Sequence, residues 1–133
     1  MGMMPNTKNG YGPHECISAL QKEIRRSNPE NAMFWAAELA ESGYLSWLLT
    51  RLLVISHEDI GTVAPLEVMF TAQCVSQARE WHKADNGAWW LALANAVYTL
   101  ATAPKSRLAD EFQCVVKGRR AAGKMLAIPD YAY

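Results

Sequence analysis

The sequence predicts an all-α protein, built as a compact array of about six helices. Apolar residues recur at helical spacing along most of the chain, and proline and glycine divide it into segments of helix length. No segment shows a convincing alternation of apolar and polar residues, so the pattern favours no strand. With 133 residues, of which 50% are hydrophobic, the chain is long enough for one domain with one core.

The N-terminal part of the sequence predicts an arm and then a first helix. Residues 1–12 mix Gly, Asn, Pro and Lys without periodicity, which predicts a flexible N-terminal arm. Pro13 suits the first turn of a helix, where a missing amide costs nothing. Polar residues, Gln21 and Arg25 among them, are expected outside the apolar face of this helix. That face consists of Ile17, Leu20 and Ile24.

Two further helices are predicted before residue 56. Asn28 and Pro29 suit the cap and the first residue of the second helix, and Gly43 ends it. The third helix is the most apolar run of the sequence. We expect it to lie at the centre of the fold, because little polar face remains on it. Its apolar positions at helical spacing are Leu45, Leu48, Leu49, Leu52 and Ile55.

The tetrapeptide Glu58–Gly61 follows this central helix and carries two adjacent carboxylates. Arg51 precedes Glu58 by two helical turns, so the two side chains are predicted on one face. Gly61 suits a helix end, because glycine readily takes the left-handed backbone found there. Carboxylates at a helix C-terminus oppose the helix dipole, so Glu58 and Asp59 need a partner such as Arg51, a backbone amide or another element. A structural ion pair is the favoured interpretation, and catalysis is the alternative.

The fourth and fifth helices are predicted on either side of a polar loop. Pro65 suits the start of the fourth helix, and residues 83–87 have the composition of a loop. The fifth helix is expected from about Ala88 to Thr102.

A sixth helix and a tail complete the predicted domain. Pro104 ends the fifth helix, and Ser106 suits the cap of the sixth. The apolar residues of the sixth helix are Leu108, Phe112, Val115 and Val116. Because Gly118 ends the clear apolar pattern, the helical domain is predicted over residues 13–117, with residues 118–133 as a basic linker and extended C-terminal tail.

Charge is balanced over the whole chain but unevenly distributed along it. The formal net charge is zero, whereas residues 105–124 hold six bases against two acids. Such a segment makes a local positive field that the total conceals. It could contact nucleic-acid phosphates weakly and without sequence preference, and a solvated helix end is the alternative interpretation. The candidate contacts are Lys105, Arg107, Lys117, Arg119, Arg120 and Lys124.

Cysteine and histidine usage argues against several kinds of site. Cys16, Cys74 and Cys114 are widely spaced and odd in number, which argues against a disulfide framework and for a reducing, cytoplasmic compartment. The histidines and cysteines show no metal-ligand spacing, so no metal and no cofactor are expected. The sequence shows no signal segment and no run that would span a bilayer, so no membrane partner is expected.

Two short patterns leave open a small enzyme or a nucleotide-binding protein. Gly118–Lys124 matches G-x-x-x-x-G-K, but Met125 stands where a phosphate-binding loop needs Ser or Thr. His57, with Glu58 and Asp59, could serve acid–base chemistry, but no nucleophile motif or oxyanion loop accompanies them. We therefore predict no catalytic residue, and we keep His57, Glu58, Asp59 and Lys124 for the alternative.

Three motifs in order give the chain a family resemblance. Ile17–Lys22 reads I-S-A-L-Q-K, Glu58–Gly61 reads E-D-I-G, and Leu100–Ser106 reads L-A-T-A-P-K-S. In this combination the sequence, over about residues 14–117, resembles the C-terminal region of the bacterial replication-associated recombination protein A. The eukaryotic Werner-helicase-interacting ATPase is a relative of that family. The residues that we assign to the family motifs are Arg51, Glu58, Asp59, Gly61, Pro104, Lys105 and Ser106.

The resemblance implies a fold and a setting in DNA metabolism. Such proteins are AAA+ ATPases related to clamp loaders, and their C-terminal region is an all-helical domain that mediates oligomerisation, typically into tetramers. The ATPase part is not in this sequence, so we expect a stand-alone, non-enzymatic version. Its ending, Ile128–Tyr131, is similar to that of relatives in phages and mobile elements. The expected partners are a second copy, as dimer or tetramer, a replication or repair ATPase, and weakly bound DNA.

Overall fold

The computed structural model describes residues 4–133, and within that range every regular element is helical. The prediction of an all-α fold with six helices is confirmed. The α-helices are α1 (Pro13–Arg25), α2 (Pro29–Glu41), α3 (Leu45–Ile55), α4 (Pro65–Lys83), α5 (Trp89–Thr102) and α6 (Leu108–Ala121). Shorter helical turns are the π-turn (Ser56–Ile60), a 3₁₀ turn (Gly61–Val63) and a last 3₁₀ turn (Asp130–Ala132).

The apolar residues of α3 form the centre of the core, as predicted. All five of its expected core positions are buried, and Leu48, Leu52 and Ile55 are completely so. Around them α1 packs on α2 and α4 packs on α5, while α2 and α5 also touch each other. The largest fully buried side chains come from α1 to α5 and from the π-turn, with α4 contributing only Thr71. One continuous core therefore extends from α1 to α5.

The N-terminal arm is attached to the domain, contrary to its prediction as a flexible segment. Within residues 4–12, Asn9 bonds to the carboxylate of Glu38 through its backbone amide and its side chain, at 3.0 and 2.6 Å. The amide of Lys8 donates to Ser42 Oγ at 3.0 Å. Thr7 is buried, and the Tyr11 ring stands edge-on to Trp35. Because these partners lie on or next to α2, residues 4–12 form part of the folded domain; residues 1–3 lie outside the described range.

Helix α6 differs from the other five helices in packing. It has no buried residue, and it packs mainly against the π-turn and the 3₁₀ turn that follows. It also extends to Ala121, beyond the end that the pattern predicted at Gly118. Arg119, Arg120 and Ala121 continue the helix there because arginine and alanine have high helix propensity. The apolar side chains Leu108, Phe112, Val115 and Val116 are all exposed.

The chain after α6 is exposed throughout. Gly123, at φ +96°, closes the helix, and the amide of Lys124 donates back to the carbonyl of Arg119. Met125, Leu126 and Tyr131 are among the most exposed apolar side chains of the described residues. Across residues 4–133, no helix has both the length and the apolar character needed to cross a membrane.

Candidate functional site

The carboxylate of Asp59 is the centre of the polar structure in this domain. The π-turn after α3 places it inside the fold, where its side chain is 1% exposed. Arg25 Nε of α1 and Arg107 Nη1, just before α6, donate to Asp59 Oδ1 at 3.0 and 2.9 Å. Gln21 Nε2 donates to Asp59 Oδ2 at 2.9 Å. Two of these three donors are cationic, and such charge-assisted hydrogen bonds are stronger than those between neutral groups.

Gln21 extends these contacts towards α3. Its side-chain amide also donates to Glu58 Oε1 at 3.0 Å and accepts from Arg51 Nη2 at 2.9 Å. Arg51 therefore reaches Glu58 only through Gln21, and of the three kinds of partner considered for the two carboxylates, side chains from other elements are the ones that bind them directly. The π-turn adds a residue to the turn and changes the face on which Glu58 lies. Arg51 Nε is buried without a hydrogen-bond partner among the described residues.

Arg107 connects the same centre to α6. Its Nη2 donates to Asp110 Oδ2 at 2.8 Å while its Nη1 holds Asp59. The backbone is joined too, because the amide of Ser106 donates to the carbonyl of Asp59 at 2.7 Å. Hydrogen bonds to Asp110 and Asp59 keep the pKa of Arg107 above its ordinary value. We call Gln21, Arg25, Asp59, Arg107 and Asp110 the Asp59 cluster.

Lys105 holds the end of α5 and the loop after it. Its Nζ donates to the carbonyls of Ala101 and Ala103 at 3.0 and 2.6 Å, and to Ser27 Oγ at 3.3 Å. A cation at this position satisfies free carbonyls and suits the negative end of the helix dipole. Burial lowers the pKa of Lys105, and the charge of Asp59 opposes that shift. The family-motif residues Glu58, Asp59, Lys105 and Ser106 therefore all form contacts that hold this part of the fold together.

A groove lies beside the cluster, between α3, the π-turn and α6. It has a volume of about 520 Å³, and Leu53, Val54 and Ala109 contribute to its apolar wall. His57 and Glu58 also line it, whereas Asp59 points away into the cluster. The three residues of the acid–base alternative therefore do not converge on one point. Among residues 4–133, no group of three or more His, Cys, Asp and Glu side chains is arranged to hold a metal.

Lys124 does not belong to a phosphate-binding loop. Such a loop connects a strand to the start of a helix, where free amides face the phosphates. Here the residues before the motif are helical, and Gly118–Lys124 covers the end of α6, where free carbonyls collect. The pattern match therefore lacks the backbone that would give it a function.

The six candidate nucleic-acid contacts separate into two groups. Lys105 and Arg107 are engaged within the fold by the bonds described above. The other four, Lys117, Arg119, Arg120 and Lys124, are exposed at the end of α6 and just after it. None of these four forms an ion pair with an acid of the described residues.

Sequence reasoning missed Gln21 and Arg25, which were expected on the outer face of α1. Gln21 is buried, and Arg25 is about half covered as it reaches Asp59. A signal was present, because an unpaired carboxylate after an apolar helix requires cationic partners from another element. The pattern could not show which element supplies them, since that depends on how α1 packs against α3 and the π-turn.

The fold and the Asp59 cluster define an all-helical domain whose sequence motifs have structural roles. A family model described as MgsA AAA+ ATPase C terminal matches residues 26–131 and shows to which class of protein this domain belongs. The chain belongs to that family.

Curated relatives agree with this assignment. Replication-associated recombination protein A of Bacillus subtilis (strain 168) is 37% identical over 136 residues, an alignment that covers 93% of this chain and 29% of the relative. The protein of the same name from Haemophilus influenzae is 34% identical over 103 residues, covering 74% of this chain and 22% of the relative. The one from Escherichia coli (strain K12) is 32% identical over 99 residues, covering 70% and 20%. The chain thus spans less than a third of the length of these relatives.

Proposed function

We propose that this chain is a non-enzymatic interaction module of DNA replication, recombination or repair, and that it self-associates. The setting is supported by the names of its relatives, which are replication-associated recombination proteins. The observation that carries self-association is the exposed apolar side of α6. We propose the cytoplasm as its location.

The apolar side of α6 has the character of an interface. Leu108, Phe112 and Val115 are spaced by four and three residues, so they form one stripe along the helix. We call these three residues the α6 stripe. Each of them is at least half exposed, and Phe112 is 67% exposed. Isolated helices of about this length are marginal in water, so a partner that covers the stripe would stabilise α6.

A second apolar face lies on α4. Leu66, Met69 and Phe70 are exposed, and their spacing puts them on one side of the first turns of that helix. One apolar face supports a dimer, whereas a tetramer with two-fold symmetry needs a second. The α4 face is available for that second contact.

Sedimentation analysis at micromolar concentrations tests self-association. We expect a species larger than the 14.8 kDa monomer for the native chain, and dissociation for Phe112→Asp, because a charge in the contact loses its hydration. Leu91→Asp is the matched control, since Leu91 on α5 is also 67% exposed. A native chain that remains a monomer, or equal behaviour of the two variants, contradicts the role of the α6 stripe.

An ATPase of replication or repair is the proposed heterologous partner, and a catalytic role for this chain is the alternative. Thermal unfolding with and without ATP–Mg²⁺ tests whether this chain itself binds the nucleotide, as the alternative requires. A nucleotide at 100 times its dissociation constant would stabilise the fold by about 2.7 kcal/mol. We expect no shift in Tm, because Lys124 lies at the carbonyl end of a helix. A clear shift would favour the nucleotide-binding alternative.

DNA contact is a second candidate, favoured by the four unpaired bases at the end of α6. No acidic residue lies between residues 112 and 129, so no neighbour in sequence neutralises these bases. They are Lys117, Arg119, Arg120 and Lys124. Contact through such bases is weak, independent of sequence and steeply dependent on salt, because it depends on released counterions.

Fluorescence anisotropy with oligonucleotides at several salt concentrations tests this contact. Replacing Arg119 and Arg120 by Gln should flatten the slope of log affinity against log salt by up to about two. Replacing Lys105 and Arg107 by Gln is the comparison, with folding checked by circular dichroism, because those two side chains are engaged inside the fold. No binding at low salt, or equal slopes for the Arg119/Arg120 variant and the native chain, removes the DNA contact.

A further inference from the structure

We infer that two copies pair through antiparallel α6 helices, related by a two-fold axis close to Val115. This inference rests on the proposed self-association and adds the orientation of the partner. The partner is a second copy of this chain, and the surface is the α6 stripe with the charges at both ends of the helix.

The charge along α6 is polarised. Asp110 and Glu111 lie in its first turn, whereas Arg119 and Arg120 lie in its last. In a parallel pair the like-charged ends of two copies would lie side by side and repel. In an antiparallel pair the acidic start of each helix lies beside the basic end of the other, and the helix dipoles oppose each other favourably.

The spacing of these charges fits a two-fold axis at Val115. Glu111 precedes Val115 by four residues and Arg119 follows it by four. With the axis at Val115, Glu111 of one copy therefore lies at the same height as Arg119 of the other, and the reverse holds by symmetry. The native chain offers no competitor, because neither residue forms an ion pair in residues 4–133.

Gly118 gives a second argument for this register. It lies inside α6, where glycine costs about 1 kcal/mol relative to alanine, and a Cβ added there would meet no atom within 4 Å. Nothing in the single chain therefore requires glycine at this position. With the axis at Val115, Gly118 lies at the height of Phe112 in the other copy, since each is three residues from the axis. The absent side chain leaves room for that ring.

Disulfide trapping determines the orientation. Cys114 is exposed on α6 and is first replaced by Ser, whereas Cys16 and Cys74 are buried and stay. Leu108→Cys and Ala122→Cys are prepared separately, because each position lies seven residues from Val115. Mixing the two proteins under mild oxidation should give a disulfide between them, at least tenfold faster than Leu108→Cys forms one with itself. Val115→Cys should crosslink with itself, since it lies at the axis.

A charge exchange gives an independent measurement. Glu111→Arg should raise the dissociation constant of the dimer about tenfold or more, because it meets Arg119 of the other copy. The double variant Glu111→Arg/Arg119→Glu should recover affinity close to that of the native chain. Circular dichroism of each variant checks that the fold is retained, which is expected because neither side chain is buried.

The outcomes distinguish this inference from the proposed self-association. A native chain that is monomeric in sedimentation overturns both. A dimer in which Leu108→Cys crosslinks with itself as fast as with Ala122→Cys leaves self-association intact and overturns the antiparallel arrangement. A dimer without any of these crosslinks, or without recovery in the double variant, shows that another surface is used.

Discussion

At the scale of single residues, Asp59 is a buried carboxylate that accepts hydrogen bonds from three side chains of other elements. Its carboxylate is almost fully buried, so it would be unstable as an anion without its donors. Two arginines and one amide supply them, from α1 and from the segment before α6. Both arginines keep part of their surface in water, which lowers the desolvation that the ion pairs must offset. The cluster is therefore a joint between separate parts of the chain.

Asp59→Asn tests this joint. The substitution keeps the shape but leaves Arg25 and Arg107 facing a neutral group. We expect unfolding free energy to fall by about 2–3 kcal/mol, less than for a fully buried pair because the arginines can turn to water. Urea denaturation measures the change. Asp110→Asn is the control, since it removes a more exposed partner of Arg107 and should cost at most about 1 kcal/mol. Equal losses of unfolding free energy in the two variants would show that Asp59 contributes no more to stability than Asp110.

Glu38 makes the attachment of the arm dependent on pH. Hydrogen bonds from the side chain of Thr7 and from Asn9 hold the pKa of Glu38 below its ordinary value, although burial acts in the opposite direction. A lowered pKa in the folded state means that the ionised group stabilises the fold above the unfolded pKa of about 4.3. That stabilisation is lost as pH falls through the folded pKa.

Glu38→Gln should therefore be less stable than the native chain at pH 7, and the difference should shrink steadily below about pH 4. Chemical denaturation at a series of pH values gives the comparison. Glu41→Gln is a suitable control, because Glu41 only faces Lys8 in an exposed ion pair at 3.6 Å. A difference between native and Glu38→Gln proteins that stays constant down to pH 3 would contradict the ionised contact.

At the scale of elements, the π-turn and Gly61 determine how α3 connects to the second half of the domain. Gly61 has φ +58° and ψ −130°, a backbone conformation that residues with a Cβ atom rarely adopt. An added Cβ would meet only Ala109 Cβ, at 3.8 Å, which is an ordinary contact. The requirement for glycine therefore comes from the backbone and not from crowding.

Gly61→Ala should destabilise the fold by about 1–3 kcal/mol through this backbone strain. Gly87→Ala is the matched control, because Gly87 has no positive φ and open space around it. We expect that variant to stay within about 0.5 kcal/mol of the native chain or to gain slightly. Thermal unfolding of both proteins provides the measurement, and a Gly61→Ala protein that melts with the native chain would show that the turn relaxes.

The elements also show where sequence reasoning succeeds. Pro13, Pro29 and Pro65 marked three helix starts correctly, because proline suits a first turn and little else in a helix. Local patterns could not reveal the π-turn, since its extra residue depends on where Asp59 finds its partners. The prediction of a flexible arm was wrong for a similar reason, because Glu38, which accepts the hydrogen bonds from Asn9, lies on another element. The exposure of α6 could not be predicted either, since an apolar stripe has the same sequence pattern whether it faces a core or an exposed surface.

At the scale of the whole molecule, stability depends on one core centred on α3. Leu49 is 1% exposed within it, whereas Val54 on the same helix is 43% exposed beside the groove. Leu49→Asp should prevent folding, because an unpaired buried charge costs several kcal/mol against a total stability of about 5–15 kcal/mol. Val54→Asp should fold. Circular dichroism and solubility separate the two, and a helical, soluble Leu49→Asp protein would show that this face of α3 is not core.

The π-turn also has a consequence for insertions and deletions. Its hydrogen bonds enclose one residue more than those of an α-turn. Deleting His57 would allow a regular α-turn while every residue of the Asp59 cluster remained in the chain. An α-turn covers about the same angle with one residue fewer, so the carboxylate of Asp59 would still point close to its present direction, towards Arg25 and Arg107. The π-turn therefore accommodates one residue more between α3 and the E-D-I-G tetrapeptide, and the fold should tolerate the loss of His57 better than the loss of a residue from the regular turns of α3.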